Sequence, residues 1–163
     1  MKKEYLLPHA YRLIGWIVLI PGLVLGIAHM LGDYEATWLD LPVFVISEPG
    51  IMAEDKWFEL STNNLTDELA GVMLILGLAF VAFSRERSED EFIARIRLES
   101  LLRATYLNYG ILLLTIVFMY GSAFFMVLVF NMFTILVFFI VHFNLALAKA
   151  RRNLRTDEEP YQG

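Results

Sequence analysis

"FFMVLVFNMFTILVFFIVHF", Phe124 to Phe143, runs for twenty residues without an Asp, Glu, Lys or Arg. At about 1.5 Å of rise per residue a helix of this length covers the ~30 Å hydrocarbon layer of a bilayer. In hydrocarbon each backbone amide must find its partner within the segment, so the run must be helical. It continues to Ala148, giving a span at about 124–148. Toward the N-terminus only Gly121, Ser122 and Ala123 separate it from a second apolar run, 104–120. So short a link forces an antiparallel helical hairpin. Further out lie "LAGVMLILGLAFVAF" (Leu69–Phe83), which with its start at about 67 gives a span 67–83, and "LIGWIVLIPGLVLGIAHML" (Leu13–Leu31).

The expected fold is therefore an all-α membrane protein, a single domain of four transmembrane helices. The composition agrees: 58% of the 163 residues are hydrophobic, above the roughly 45–50% of soluble domains. With no cysteine, disulfides, thiolate chemistry and Cys-ligated metals are excluded. The first apolar run is too long for a signal peptide and no small-x-small cleavage pattern follows it, so it reads as an uncleaved span.

Charge is sorted along the chain. Gly32 to Glu68 holds nine acidic residues and a single basic one, Lys56; the other twelve Lys and Arg lie near the N-terminus, between spans two and three, or in the tail 149–163. The positive-inside rule then places both termini in the cytoplasm of a multi-pass inner-membrane protein. The linker 32–66 faces outward and is too long for a bare connection. Within it "WLDLPVFVI" (Trp38–Ile46) and "KWFEL" (Lys56–Leu60) are β-prone and flank the turn signal "SEPG" (Ser47–Gly50), so short strands forming a small cap on the membrane surface are expected.

The block "RSEDEFIARIRLESLLR" (Arg87–Arg103) is the one dense charged stretch between spans. Ser88 and Glu91 have capping-box spacing, acidic residues fill the first turn where the helix dipole favours them, and Glu91–Arg95 and Glu99–Arg103 are i,i+4 pairs. These features predict a cytoplasmic amphipathic helix, 88–103, leading into span three. Its ordinary role is a solvated juxtamembrane face; its sharper one is a docking surface for a cytoplasmic protein through Glu91, Arg95, Arg97 and Glu99.

Ionisable and polar residues inside spans carry functional interest. His29 and Asp33 sit near the end of span one, where interfacial hydrogen bonding is expected. Taking the hairpin turn near 122–123, Glu99, Arg103, His142 and Asn144 come to one level as a small polar cluster, and Asn131 comes level with Leu114 and Thr115. Asn108 is left to meet span one or two. Gly22 and Gly26 have GxxxG spacing for close helix approach, to span two or to a second copy, and Pro21 should loosen span one. No residue pattern calls for a cofactor or a direct nucleic-acid partner.

Three segments, "NLTDE" (Asn64–Glu68), "RSEDEFI" (Arg87–Ile93) and "YLNY" (Tyr106–Tyr109), together with the spans between residues 64 and 148, resemble an uncharacterised family of small four-span membrane proteins of Bacteroidetes. The resemblance implies location and topology but no activity. The functional expectation is a regulatory, signalling or partner-docking membrane protein, not an enzyme. A small transporter or channel subunit and an assembly factor are the alternatives. Proton-coupled transport is disfavoured because no carboxylate occurs in Leu13–Leu31, Leu69–Phe83 or Phe124–Ala148, and lipid chemistry because Asp33, Asp40, Asp55 and Glu59 show no catalytic spacing.

Overall fold

The computed structural model describes residues 6–48, 56–87 and 90–158. Helix α1 is Ala10–Gly32, α2 Thr66–Phe83, α3 Glu91–Phe118 and α4 Ser122–Glu158; strands β1 (Asp40–Glu48) and β2 (Lys56–Asn64) lie between α1 and α2. The molecule is mostly helical, and among the described residues four helices are long and apolar enough to cross a membrane. Contacts divide the chain into two compact units, Ile17–Leu74 on one side and Met1–Trp16 with Ile75–Gly163 on the other.

In the unit Ile17–Leu74, the helix continues through Pro21 without a break. Gly22 lies where a Cβ would come within 2.7 Å of Met73 Cβ, whereas a Cβ on Gly26 would meet nothing closer than 3.8 Å. Of the GxxxG pair, only Gly22 is thus a close-approach glycine, and its neighbour is α2. Asp33, with a left-handed φ of 46°, turns the chain out of α1, a conformation that Asp tolerates better than most residues. His29 Nδ1 contacts the Tyr34 carbonyl at 3.1 Å.

The expected strands form an antiparallel hairpin, with Asp40 opposite Asn64 and Phe44 opposite Leu60; the turn signal Ser47–Gly50 lies partly outside the described residues. A polar staple fixes the hairpin's base. The Ala36 N–H donates to Thr66 Oγ1 at 3.0 Å, and Asn64 Nδ2 donates to the Ala36 carbonyl at 3.0 Å and to Asp40 Oδ1 at 2.6 Å. Asn64 Oδ1 accepts the Thr66 N–H at 3.1 Å. Thr66 is fully buried, so the start of α2 and the end of the hairpin are one structure. Phe58 holds a left-handed φ of 54°, a conformation costing a bulky residue on the order of 1–3 kcal/mol.

In the other unit, α3 and α4 form the expected hairpin. Gly121, with φ 69°, supplies the left-handed turn that glycine adopts freely. Ala82, Ile93, Ala104, Phe139, Phe143 and Leu147 make the buried core, with Phe139 stacked between Phe83 (6.0 Å) and Phe143 (5.9 Å). On α1, a Cβ at Gly15 would fall 2.9 Å from the Gly77 carbonyl oxygen, a close approach the GxxxG reading did not include.

Two expectations need correction here, and one helix outruns its expected span. The α3 N-cap is Asp90, whose side chain accepts the Ile93 N–H at 2.8 Å; Ser88, the expected cap, lies outside the described residues, and the helix starts at Glu91. Helix α4 runs past the expected end of span four at Ala148 and continues to Glu158, because "KARRNLR" is rich in helix formers. The hairpin register also differs. Helix α3 ends at Phe118, so Met119 to Gly121 make the turn, and Asn131 meets Asn108 instead of Leu114 and Thr115. The two amides bond reciprocally, Asn108 Nδ2 to Asn131 Oδ1 at 3.3 Å and Asn131 Nδ2 to Asn108 Oδ1 at 3.2 Å. Thr115 instead donates to the Ile111 carbonyl of its own helix.

Asn108→Leu and Asn131→Leu should each lower stability by about 0.6–1.7 kcal/mol, the range of interhelical hydrogen bonds in membranes. The double variant should lose less than the sum, because one pair is counted twice. Denaturation in mixed micelles checks this, and strictly additive losses would show that the amides do not act on each other.

Candidate functional site

The polar side chains of the larger unit converge where the N-terminal segment, the α2–α3 connection and α4 meet. Backbone pairing begins the assembly. Leu7 forms a parallel bridge with Ser84; the Leu7 N–H donates to the Phe83 carbonyl at 3.0 Å and the Arg85 N–H to the Leu7 carbonyl at 2.9 Å. His9 Nδ1 lies 2.9 Å from the Arg85 carbonyl and its Nε2 accepts from Arg87 Nε at 3.4 Å. A carbonyl only accepts and a guanidinium only donates, so the partners select the Nδ1–H tautomer.

In the first turn of α1, Arg12 donates through Nη1 to Glu86 Oε1 and through Nη2 to Asn144 Oδ1 at 2.9 Å. Arg151 of α4 reaches the other Glu86 oxygen at 3.3 Å. The Glu86 side chain is 8% exposed, and a carboxylate that buried requires paired charge and hydrogen bonds. Two guanidiniums supply both. Asn144 is oriented by its own Nδ2 donating to the Ile140 carbonyl at 2.8 Å. The node therefore ties residues 74 and 65 positions apart in sequence to Glu86.

Arg12, Ser84, Glu86 and Asn144 line, together with apolar residues that include Phe139 and Phe143, a space of about 10 Å³, room for about one water molecule. Ser84 Oγ donates to the Phe80 carbonyl. The geometry is that of a clamp: a carboxylate gripped from two sides and a hydroxyl turned to the backbone.

Beside it stands Arg97 of α3, 4% exposed. Its Nη1 donates to the Ala82 carbonyl at 3.1 Å and its Nη2 to the Ser84 carbonyl at 3.4 Å, while the guanidinium carbon lies 4.5 Å from the Phe143 ring centroid. Helix α2 has no basic residue in its own last turn. Arg97 supplies the cation and the donors that a helix C-terminus favours.

This placement removes Arg97 from the expected docking set. At 100° per residue it falls on the same side of α3 as Ile93, Ser100 and Ala104, all buried. Glu91, Arg95 and Glu99 are exposed on the other side. The expected cluster of Glu99, Arg103, His142 and Asn144 is not assembled. Glu99 and Arg103 pair at 4.0 Å on the exposed face of α3, His142 is half-buried on α4, and Asn144 is held by Arg12. The register explains the difference, since moving Asn131 from the level of Thr115 to that of Asn108 slides α4 by about 10 Å along α3.

Sequence reasoning missed Arg12, Glu86 and Arg151. The one trace of them is Glu86 itself, a lone carboxylate inside the basic "RER" between spans two and three. Comparison of the chain with protein-family models, with curated proteins and with solved structures returns no match.

Proposed function

We propose that the chain is a multi-pass protein of the cytoplasmic membrane with both termini inside, and that it acts without catalysis as a regulatory platform on which a cytoplasmic protein docks. The basic split, twelve Lys and Arg against Lys56 alone in the segment Gly32 to Glu68, supports the orientation. The observation that carries the docking reading is the two-sided build of α3. Ile93, Arg97, Ser100 and Ala104 anchor one side. The opposite side presents Phe92, Leu98 and Leu102, each about half exposed, interleaved with Glu91, Arg95, Glu99 and Arg103.

Apolar side chains framed by alternating charges are the composition of a helix-binding face. A fitting partner offers an amphipathic helix whose charges are opposite in order. The test is photocrosslinking from a reactive analogue placed at Arg95 or Leu98 in native membranes. One protein should be captured from both positions and lost in the double variant Arg95→Glu/Glu99→Lys, while the variant keeps wild-type abundance and melting. An adduct unaffected by the reversal, or none from either position, sinks the reading.

A further inference from the structure

We infer that one face of the β1–β2 hairpin is a lipid-contact surface that rests in the headgroup layer of the bilayer from which α1 and α2 emerge. In the antiparallel register, Phe44 stands opposite Leu60, and Ile46 and Phe58 are the next residues on the same side. All four side chains are more than 60% exposed, and the Phe44 and Phe58 rings lie 6.4 Å apart. The left-handed backbone of Phe58 is tolerated where its ring joins this patch. A two-stranded hairpin with such a face uncovered is marginal in water and would recruit other chains through its edges.

Three observations select lipid as the cover. The first is tethering: only Leu65 separates β2 from α2, and the staple of Asn64, Ala36 and Thr66 fixes the hairpin's base at the first turn of that helix. The hairpin thus begins at the level where an apolar span ends. The second is continuity. Along the chain from the end of α1 to β1, Met30, Leu31, Tyr34, Trp38 and Phe44 are each at least half exposed, and Tyr and Trp are the residues that favour the bilayer interface. The third is charge segregation. On the side of Phe44 and Leu60 the stretch from Pro42 to Ile46 and from Phe58 to Thr62 carries no ionisable residue; it lies between Asp40 at the base, bonded to Asn64, and the Glu48–Lys56 pair at the far end of the register, whereas Glu59 falls on the other side and is exposed. With nine acidic residues in the segment from Gly32 to Glu68, the attraction is apolar and suits zwitterionic lipid. None of this uses the α3 docking face, so either proposal can fail without the other.

The absence of cysteine permits a direct test on the full chain. Phe44→Cys, Leu60→Cys, Thr62→Cys and Glu59→Cys are each given a nitroxide label and reconstituted in phosphatidylcholine vesicles. Collisional accessibility to oxygen, which partitions into lipid, is compared with that to a water-soluble nickel chelate. Thr62 shares the side of Phe44 and removes no apolar group, so it reports depth even if a Phe44 variant loosens the hairpin. The oxygen-to-nickel ratio is expected to be several-fold higher at positions 44, 60 and 62 than at 59. Equal ratios overturn the inference. So does protection from both reagents with spin–spin broadening that falls on dilution by unlabelled chain, since a second copy would then cover the face. Contact that arises only when anionic lipid is added also overturns it.

Discussion

Arg97→Met is expected to destabilise the protein by about 3 kcal/mol, seen as a lower midpoint in denaturant titration in micelles. Methionine keeps much of the stem volume, so the change isolates the guanidinium. Burying an arginine is itself costly, and replacing a whole buried ion pair by apolar side chains is often neutral. Arg97→Met is not such a replacement, because it removes one partner and leaves backbone acceptors behind. Its partners include the Ala82 and Ser84 carbonyls, backbone atoms that stay buried after the substitution. Losing a charged donor typically costs about 1.5–3 kcal/mol, and the contact with the Phe143 ring adds about 0.5–2 kcal/mol. Arg97→Lys should recover only part, because an ammonium neither forks across two carbonyls nor stacks on a ring. Arg95→Met, on the exposed side of the same helix, should stay within about 0.5 kcal/mol. Wild-type melting of Arg97→Met would show that α2 does not depend on a cap from α3.

Gly15→Ala should also destabilise by about 1–3 kcal/mol through overpacking. An added Cβ would lie 2.8 Å from Val81 Cγ2 and 2.9 Å from both the Gly77 carbonyl oxygen and the Val81 nitrogen. Two of those three atoms are α2 backbone, which cannot swing aside, so α1 and α2 must separate there. Gly15→Val should be worse. Gly71→Ala and Gly110→Ala, where nothing lies within 4 Å, should be neutral or slightly stabilising, since glycine inside a helix costs about 0.5–1 kcal/mol relative to alanine. The same micelle titration ranks the four variants. A loss at Gly71 as large as that at Gly15 would place the close packing elsewhere.

Much of the architecture was legible because it depends on local composition. Apolar runs of span length need no partner to be recognised, and the β-prone stretches around Ser47–Gly50 became the hairpin. The continuity of the charged block with span three followed from the lack of Pro or Gly between Ser88 and Tyr109. The site was barely legible. The reading of Arg97 as a surface residue failed because periodicity gives the faces of a helix without saying which one a neighbour covers. The cluster around His142 failed because a turn of three residues moved the register of two long helices, and each displaced residue changed the level of every polar side chain beyond it.

The sequence by itself determined the four apolar helices, the hairpin between the first two and the sorting of charge, since all three arise from hydrophobicity, strand propensity and counting. Only the tertiary structure decided which polar groups meet: Asn108 with Asn131, Arg97 with the end of α2, and Arg12 and Arg151 with Glu86. These pairs join residues distant along the chain. Each is set by helix rotation and register, which a few residues of turn geometry control and which hydropathy does not encode.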